Sequence, residues 1–234
     1  MRKAIIASTS TLHGGGYLEY LQPTLQEFFK EIKQLLFIPF ARPGGISHDA
    51  YTEKAAVFFQ KMNIQVQGLH TFENTKEAIL QAEAIFIGGG NTFVLVDQLH
   101  RLQLMPVIKQ AVNQGTLYLG SSAGSNITGL TMQTTNDMPV VYPSSFQTIG
   151  LVPFNLNPHY LDPDPNSTHM GETRETRIKE FHVFNTQPVV GLREGSWLEV
   201  VGDTITLRGN LTARIFTVQQ APYELETNSL INFY

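Results

Sequence analysis

The first two thirds of the chain alternate short β-branched or apolar runs with longer amphipathic stretches, and this alternation limits the fold to parallel strands joined by crossover helices. Strands are expected at 4–8, 35–40, 63–67, 84–87 and 117–120. Helices are expected at 17–30, 49–62, 75–82 and 92–114, the last broken near Leu104 because Pro106 suits only the first turn of a helix. After position 189 the texture changes to closely spaced strand-like runs at 189–192, 197–201, 204–207 and 213–218. With Gly202-Asp203 and Gly209-Asn210 as turn signals, these predict antiparallel hairpins added to the sheet or beside it. No fixed-period repeat or Pro/Gly/Ser linker marks a boundary, and 161–167, with Pro163 and Pro165, reads as a loop. At 234 residues, one large α/β domain spanning 1–234 is expected rather than two small ones.

Composition removes several classes of function. At 42% hydrophobic and 15% charged residues the chain lies outside the regime of disorder. The net charge of −4, with no basic run, excludes nucleic acid as a partner. The absence of cysteine removes disulfides, thiol catalysis and cysteine-based metal sites, so any nucleophile is oxygen or nitrogen. No H-E-x-x-H or other closely spaced His/Asp/Glu set points to a metal. The apolar run after Met1-Arg2-Lys3 is too short for a signal-peptide core, and no run is long enough to cross a bilayer. A cytoplasmic protein without a membrane partner is therefore expected.

Gly120-Ser121-Ser122-Ala123-Gly124 satisfies the G-x-S-x-G nucleophile-elbow pattern, placed after an expected strand and before an expected helix. Small flanking residues let the chain turn sharply and present Ser122 above the carboxyl ends of the strands. The plainer alternative is a βα turn that binds an anion at a helix N-terminus. A second loop, Gly88-Gly89-Gly90-Asn91-Thr92-Phe93, opens another helix at the same sheet edge. Phe93 stands where a dinucleotide fingerprint needs glycine, so no nucleotide cofactor is expected. A backbone N–H of this glycine-rich loop, with that of Ala123, could instead surround an oxyanion. A tight turn with Asn91 or Thr92 as helix cap is equally compatible.

A serine needs a base, and His159, in Asn155-Leu156-Asn157-Pro158-His159-Tyr160, follows an expected strand and precedes a polar loop; His169 is the rival. For the carboxylate that orients the imidazole, Glu194 before Gly195 and Asp137 before Met138-Pro139 compete, and each is also a plausible turn acid or support. Arg174, in a mixed-charge segment that opens a helix, is a candidate for gripping a carboxylate, against the plainer reading of a solvated helix face.

Ile38-Pro39-Phe40-Ala41, the loop at 88–93, Ser122-Ala123-Gly124, Thr134-Thr135-Asn136-Asp137-Met138-Pro139, Asn157-Pro158-His159, Gly171-Glu172-Thr173-Arg174 and Glu194-Gly195 together resemble the peptidase E family of α-aspartyl dipeptidases. The blocks run in order over most of the chain. The resemblance implies a flavodoxin-like, mostly parallel sheet flanked by helices, related to class I glutamine amidotransferases, with serine at the elbow. It implies hydrolysis of Asp-X dipeptides with a free N-terminal aspartate, a small acidic peptide as partner, and no cofactor. It assigns Ser122 as nucleophile, His159 as base and Glu194 as orienting acid, with Gly90, Asn91 and Ala123 around the oxyanion and Arg174 binding substrate. Ser121 departs from the pattern, since the family often carries a larger residue before the nucleophile. Two other readings are kept: a related serine peptidase acting on β-linked aspartyl or other acidic peptides, and a non-catalytic amidotransferase-like protein that binds small molecules.

Overall fold

The computed structural model describes residues 1–166, 168, 170–218 and 220–233. In chain order the strands are β1 (Lys3–Ala7), β2 (Gln34–Ile38), β3 (Gln65–Gly68), β4 (Ala84–Ile87), β5 (Leu117–Ser121), β6 (Asn155–Pro158), β7 (Val189–Leu192), β8 (Ser196–Val201), β9 (Thr204–Gly209), β10 (Ala213–Thr217) and β11 (Gln220–Leu225). The helices are α1 (Gln22–Phe28), α2 (His48–Gln60), α3 (Thr75–Gln81), α4 (Thr92–Arg101), α5 (Met105–Gln114), α6 (Ala123–Asn126) and α7 (Arg174–Phe184).

The larger sheet has the order β3-β2-β4-β5-β1-β8-β9, with β1 to β5 mutually parallel and the β8–β9 hairpin antiparallel to β1. Counted from β2, the parallel part follows the 2-1-3-4-5 order of a flavodoxin-like sheet, with β1 in the fifth place. Its inner strands, such as 35–38 of β2 and Ala84–Ile87, are continuous apolar runs because both faces are covered, while the edge strand β3 is Gln65-Val66-Gln67-Gly68. Ile6, Ile38 and Ile87 face one buried cluster with α3, α4 and α5, while Ile5, Phe37 and Phe86 face another with α1 and α2.

A smaller sheet has the order β11-β10-β7-β6, in which only β6 and β7 are parallel. One face, through Leu156, Val190, Leu192 and Ile215, joins the cluster that holds Ile6 and Ile87. The other meets α7 through Val189, Phe216 and Ile178.

Three local expectations change. The helix expected at 17–30 begins at Gln22 after a 3₁₀ turn over Glu19–Leu21, because Leu18 adopts a left-handed φ of 55° and Pro23 fixes the first helical turn. Gly209-Asn210 is not a hairpin turn: β9 and β10 lie in different sheets, and the chain crosses between them there. The strand β11 was not expected, because Pro222 weakens its signal; its place at a sheet edge tolerates that proline. The break near Leu104 falls between α4 and α5, with Pro106 in the first turn of α5. His169 and the last residue of the 161–167 loop lie outside the described residues. Among the described residues no helix is long and apolar enough to cross a membrane.

Candidate active site

The carboxyl end of β5 runs directly into Ser122, whose backbone sits at φ 53° and ψ −111°, a region that side-chain-bearing residues rarely occupy. The surrounding hydrogen bonds hold it there. Ser122 N–H donates to the Ala7 carbonyl at 3.2 Å, and the Ser122 carbonyl accepts from the N–H groups of Ser125 at 3.0 Å and Asn126 at 2.9 Å. Glycine is required at 124, since a Cβ there would stand 2.0 Å from the Ile87 carbonyl oxygen. The Tyr118 hydroxyl donates to the Gly124 carbonyl at 2.6 Å, and burial raises its pKa, which keeps the donor proton in place. The Ser121 hydroxyl beside the elbow is buried without a partner among the described residues.

His159 follows β6 and also has positive φ, at 56°. Its N–H donates to Ser8 Oγ at 2.9 Å, and Ser8 Oγ–H donates to the Leu192 carbonyl at 2.7 Å, so a buried serine ties β1, β7 and the histidine together. On either side, Asn136 Nδ2 donates to the Pro158 carbonyl at 2.7 Å and Tyr160 N–H donates to the Leu192 carbonyl at 3.1 Å. The imidazole Nε2 is 2.8 Å from Ser122 Oγ and Nδ1 is 2.6 Å from Glu194 Oε1. A carboxylate only accepts, so it fixes the proton on Nδ1 and leaves Nε2 to accept from the serine. The side chains of His159 and Glu194 are 36% and 44% exposed, so the pair serves orientation more than stability.

Glu194 rather than Asp137 thus meets the imidazole. Asp137 lies under the glycine-rich loop, where its Oδ2 accepts from Thr92 N–H at 2.7 Å, Thr92 Oγ1 at 2.6 Å and Thr135 Oγ1 at 3.1 Å. Those bonds make it a support at the start of α4.

The loop leans on the nucleophile, for a Cβ on Gly89 would lie 2.9 Å from Ser122 Cβ. The expectation for Asn91 needs correction. Its N–H donates to the Ala41 carbonyl at 2.7 Å, Nδ2 donates to the Met138 carbonyl at 2.9 Å, and Oδ1 caps α4 by accepting from Val94 N–H at 3.1 Å. Its donors are engaged, so Asn91 shapes the loop, while the N–H groups of Gly90 and Ala123 have no such bond among the described residues.

Arg174 is the first residue of α7, set by Thr173 Oγ1, which accepts from Thr176 N–H at 3.1 Å. A cation at a helix N-terminus opposes the macrodipole, and the combination favours a bound anion. Arg174 forms no ion pair or hydrogen bond among the described residues, although burial, the neighbouring Arg177 charge and Asp137 all act on its guanidinium, the first two lowering its pKa.

Two contributors were not anticipated from sequence. Ser8 is one; its trace is a polar residue that directly follows the apolar run of β1. Arg193 is the other: its guanidinium pairs with Asp162 at 2.7 Å and Glu224 at 2.8 Å, which anchors the Glu194 loop to the segment after His159 and to β11. Among the described residues no group of three or more His, Asp or Glu side chains forms a metal cluster.

A serine hydrogen-bonded through histidine to a carboxylate, at the carboxyl edge of a parallel α/β sheet, is the arrangement of a serine-type hydrolase. Residues 4–208 match peptidase family S51, and the chain belongs to that family of serine-type peptidases. It is 46% identical over 225 residues to peptidase E of Streptomyces coelicolor, covering 96% of this chain and 91% of that protein. It is 44% identical over 227 residues to a Drosophila melanogaster protein named "Probable alpha-aspartyl dipeptidase", covering 96% and 93%. In fold it is similar to a crystal structure of a peptidase from an acI-B1 Actinobacterium, with TM-score 0.73 at 17% identity, covering 100% of this chain and 97% of that one.

Proposed function

We propose that this peptidase hydrolyses dipeptides with a free N-terminal aspartate. Ser122 attacks the aspartyl carbonyl as His159 takes its proton, and the amide nitrogen leaves with that proton returned to it. Water, activated by the same histidine, then splits the acyl-enzyme into aspartate and free Ser122. Glu194 stabilises the imidazolium, and the N–H groups of Ala123 and Gly90 receive the oxyanion. Arg174 holds the side-chain carboxylate of the substrate. The names carried by the relatives above support the substrate class. The reading includes a small acidic peptide as partner and a cytoplasmic location.

One observation carries it: among the described residues the guanidinium of Arg174, at the N-terminus of α7, makes no ion pair or hydrogen bond, and the charge of Asp137, under the loop that touches Ser122, acts on it. Hydrolysis of Asp-Leu beside Asn-Leu, Glu-Leu and N-acetyl-Asp-Leu tests the reading. Turnover of Asp-Leu far above that of the other three is expected, and folded protein that cleaves none of them would overturn the reading. Arg174→Ala is expected to lower kcat/KM for Asp-Leu by roughly 10³-fold or more, because a site built to pair with a substrate group discriminates strongly against loss of that pairing. Residual cleavage of Asn-Leu should change by less than about tenfold, since a neutral side chain forms no ion pair with the guanidinium. Equal losses on both substrates would mark Arg174 as structural.

A further inference from the structure

Tyr51 stands near the start of α2 and shares the buried stripe of that helix with Ala55, Phe58 and Phe59. By that pattern it is a core residue. It is 1% exposed, with its ring edge-on to Phe37 at 4.9 Å and the Arg42 guanidinium 5.1 Å from the ring centre. Its hydroxyl is the part that packing does not explain. The O–H donates to the Gly89 carbonyl at 3.0 Å, in the glycine-rich loop 38 positions further on. Burial raises the hydroxyl's pKa, so the donor proton stays in place.

The Gly89 carbonyl and the Gly90 N–H belong to one trans peptide plane, in which the two groups point in opposite directions. A hydroxyl that holds the carbonyl on the α2 side therefore turns the Gly90 N–H to the other side. Glycine on both sides of the plane means that no Cβ chooses its orientation. The neighbouring residues are fixed by other contacts. The Asn91 N–H donates to the Ala41 carbonyl at 2.7 Å, and a Cβ on Gly88 would lie 2.4 Å from the Tyr51 oxygen. Reversing the plane between them would leave a buried hydroxyl without its acceptor.

We propose that Tyr51 is a positioning residue for the oxyanion site: its hydroxyl holds the Gly89–Gly90 peptide so that the Gly90 N–H, which makes no other hydrogen bond among the described residues, faces the developing negative charge. The proposal rests on the serine-hydrolase reading, in which Gly90 and Ala123 receive that charge. In the reversed orientation a carbonyl oxygen would meet the oxyanion and repel it.

Tyr51→Phe tests the proposal, because phenylalanine keeps the ring and removes only the hydroxyl. In that variant kcat on Asp-Leu is expected to fall by about tenfold to 10²-fold, part of the effect of removing one oxyanion donor outright. KM should hold within about threefold, because the oxyanion forms in the transition state and not in the bound substrate. Tyr51→4-aminophenylalanine restores an N–H donor on the same ring and should recover most of the loss. A purely structural tyrosine would lower the unfolding midpoint and leave kcat of the folded protein unchanged. A kcat within about threefold of wild type would therefore overturn the proposal, as would a rise in KM alone. If Tyr51→Phe does not fold, 4-aminophenylalanine against 4-methylphenylalanine at this position makes the comparison at nearly constant volume, and equal kcat values would overturn it.

A second probe separates this result from failure of the dipeptidase reading. A small alkyl fluorophosphonate needs the nucleophile and the oxyanion donors but no recognition of aspartate. Ser122 Oγ bonds to phosphorus as fluoride leaves, His159 takes the serine proton, and the phosphoryl oxygen occupies the oxyanion site. The labelling rate, followed by mass spectrometry, is expected to fall at least about tenfold in Tyr51→Phe. If wild-type protein leaves Asp-Leu intact but is labelled, the dipeptidase reading fails and the labelling rates alone decide: a slower variant upholds the proposal and equal rates overturn it. Wild-type protein that neither cleaves Asp-Leu nor takes the label would overturn both.

Discussion

Replacing Ser122 or His159 by alanine is expected to lower kcat on Asp-Leu by on the order of 10⁶-fold, and replacing both should cost no more than either alone. In the proposed mechanism the two side chains act as one unit: the serine is nucleophilic only while Nε2, 2.8 Å away, can take its proton, and the base has no other proton to move in the attack. Single-turnover and steady-state kinetics on the three variants check this. A single variant retaining activity within tenfold of wild type, as the purified protein and not a contaminant, would exclude that residue from the chemistry. The same position tests the stored backbone strain. The pair φ 53°, ψ −111° mirrors the extended region, which glycine enters freely. Ser122→Gly and Ser122→Ala both lose the hydrogen bond to His159, so their difference isolates the backbone. Urea unfolding is expected to find the glycine variant more stable by about 1–3 kcal/mol, and equal midpoints would show that the turn stores no strain.

Gly124→Ala should cost more than about 4 kcal/mol or prevent folding, through overpacking against backbone. The added methyl would lie 2.0 Å from the Ile87 oxygen and 2.8 Å from its carbonyl carbon. Ile87 cannot yield easily, because it pairs with Ile38 of β2 on one side and Gly120 of β5 on the other. Gly115→Ala is the matched control: its φ is +118°, but nothing lies within 4 Å of the added carbon. It should lose only about 1 kcal/mol, the conformational penalty alone. Equal unfolding midpoints for the two variants would refute the close packing of the elbow on β4.

The parallel sheet was legible because both of its faces are buried, which leaves uninterrupted apolar runs such as Ala84–Ile87 that need no partner to be recognised. The elbow was legible for the same local reason, since the tight turn demands small residues in sequence. The acid was not. Glu194 and Asp137 both read as turn carboxylates, and what separates them is the parallel pairing of β6 with β7, where Pro158 stands opposite Leu192. That register places the residues following each strand side by side, and no local pattern announces a pairing between segments more than thirty residues apart. Ser8 escaped for a like reason, since its role exists only once β1 and β7 are neighbours. Asn91 was misassigned because a glycine-rich loop shows that backbone comes close, and not which N–H groups are already engaged.

Ser122 directly follows a strand of the larger sheet and His159 one of the smaller, and Ser8 and Asn126 bridge the seam between them with bonds to Leu192, His159 and Leu156. In the proposed mechanism, hydrolysis therefore gauges the alignment of two layers to within the length of one hydrogen bond. A substitution that shifts the seam by half an ångström would leave the protein folded and abundant yet expose it to selection through turnover. On that mechanism the seam answers to turnover, while the cores on either side answer to stability.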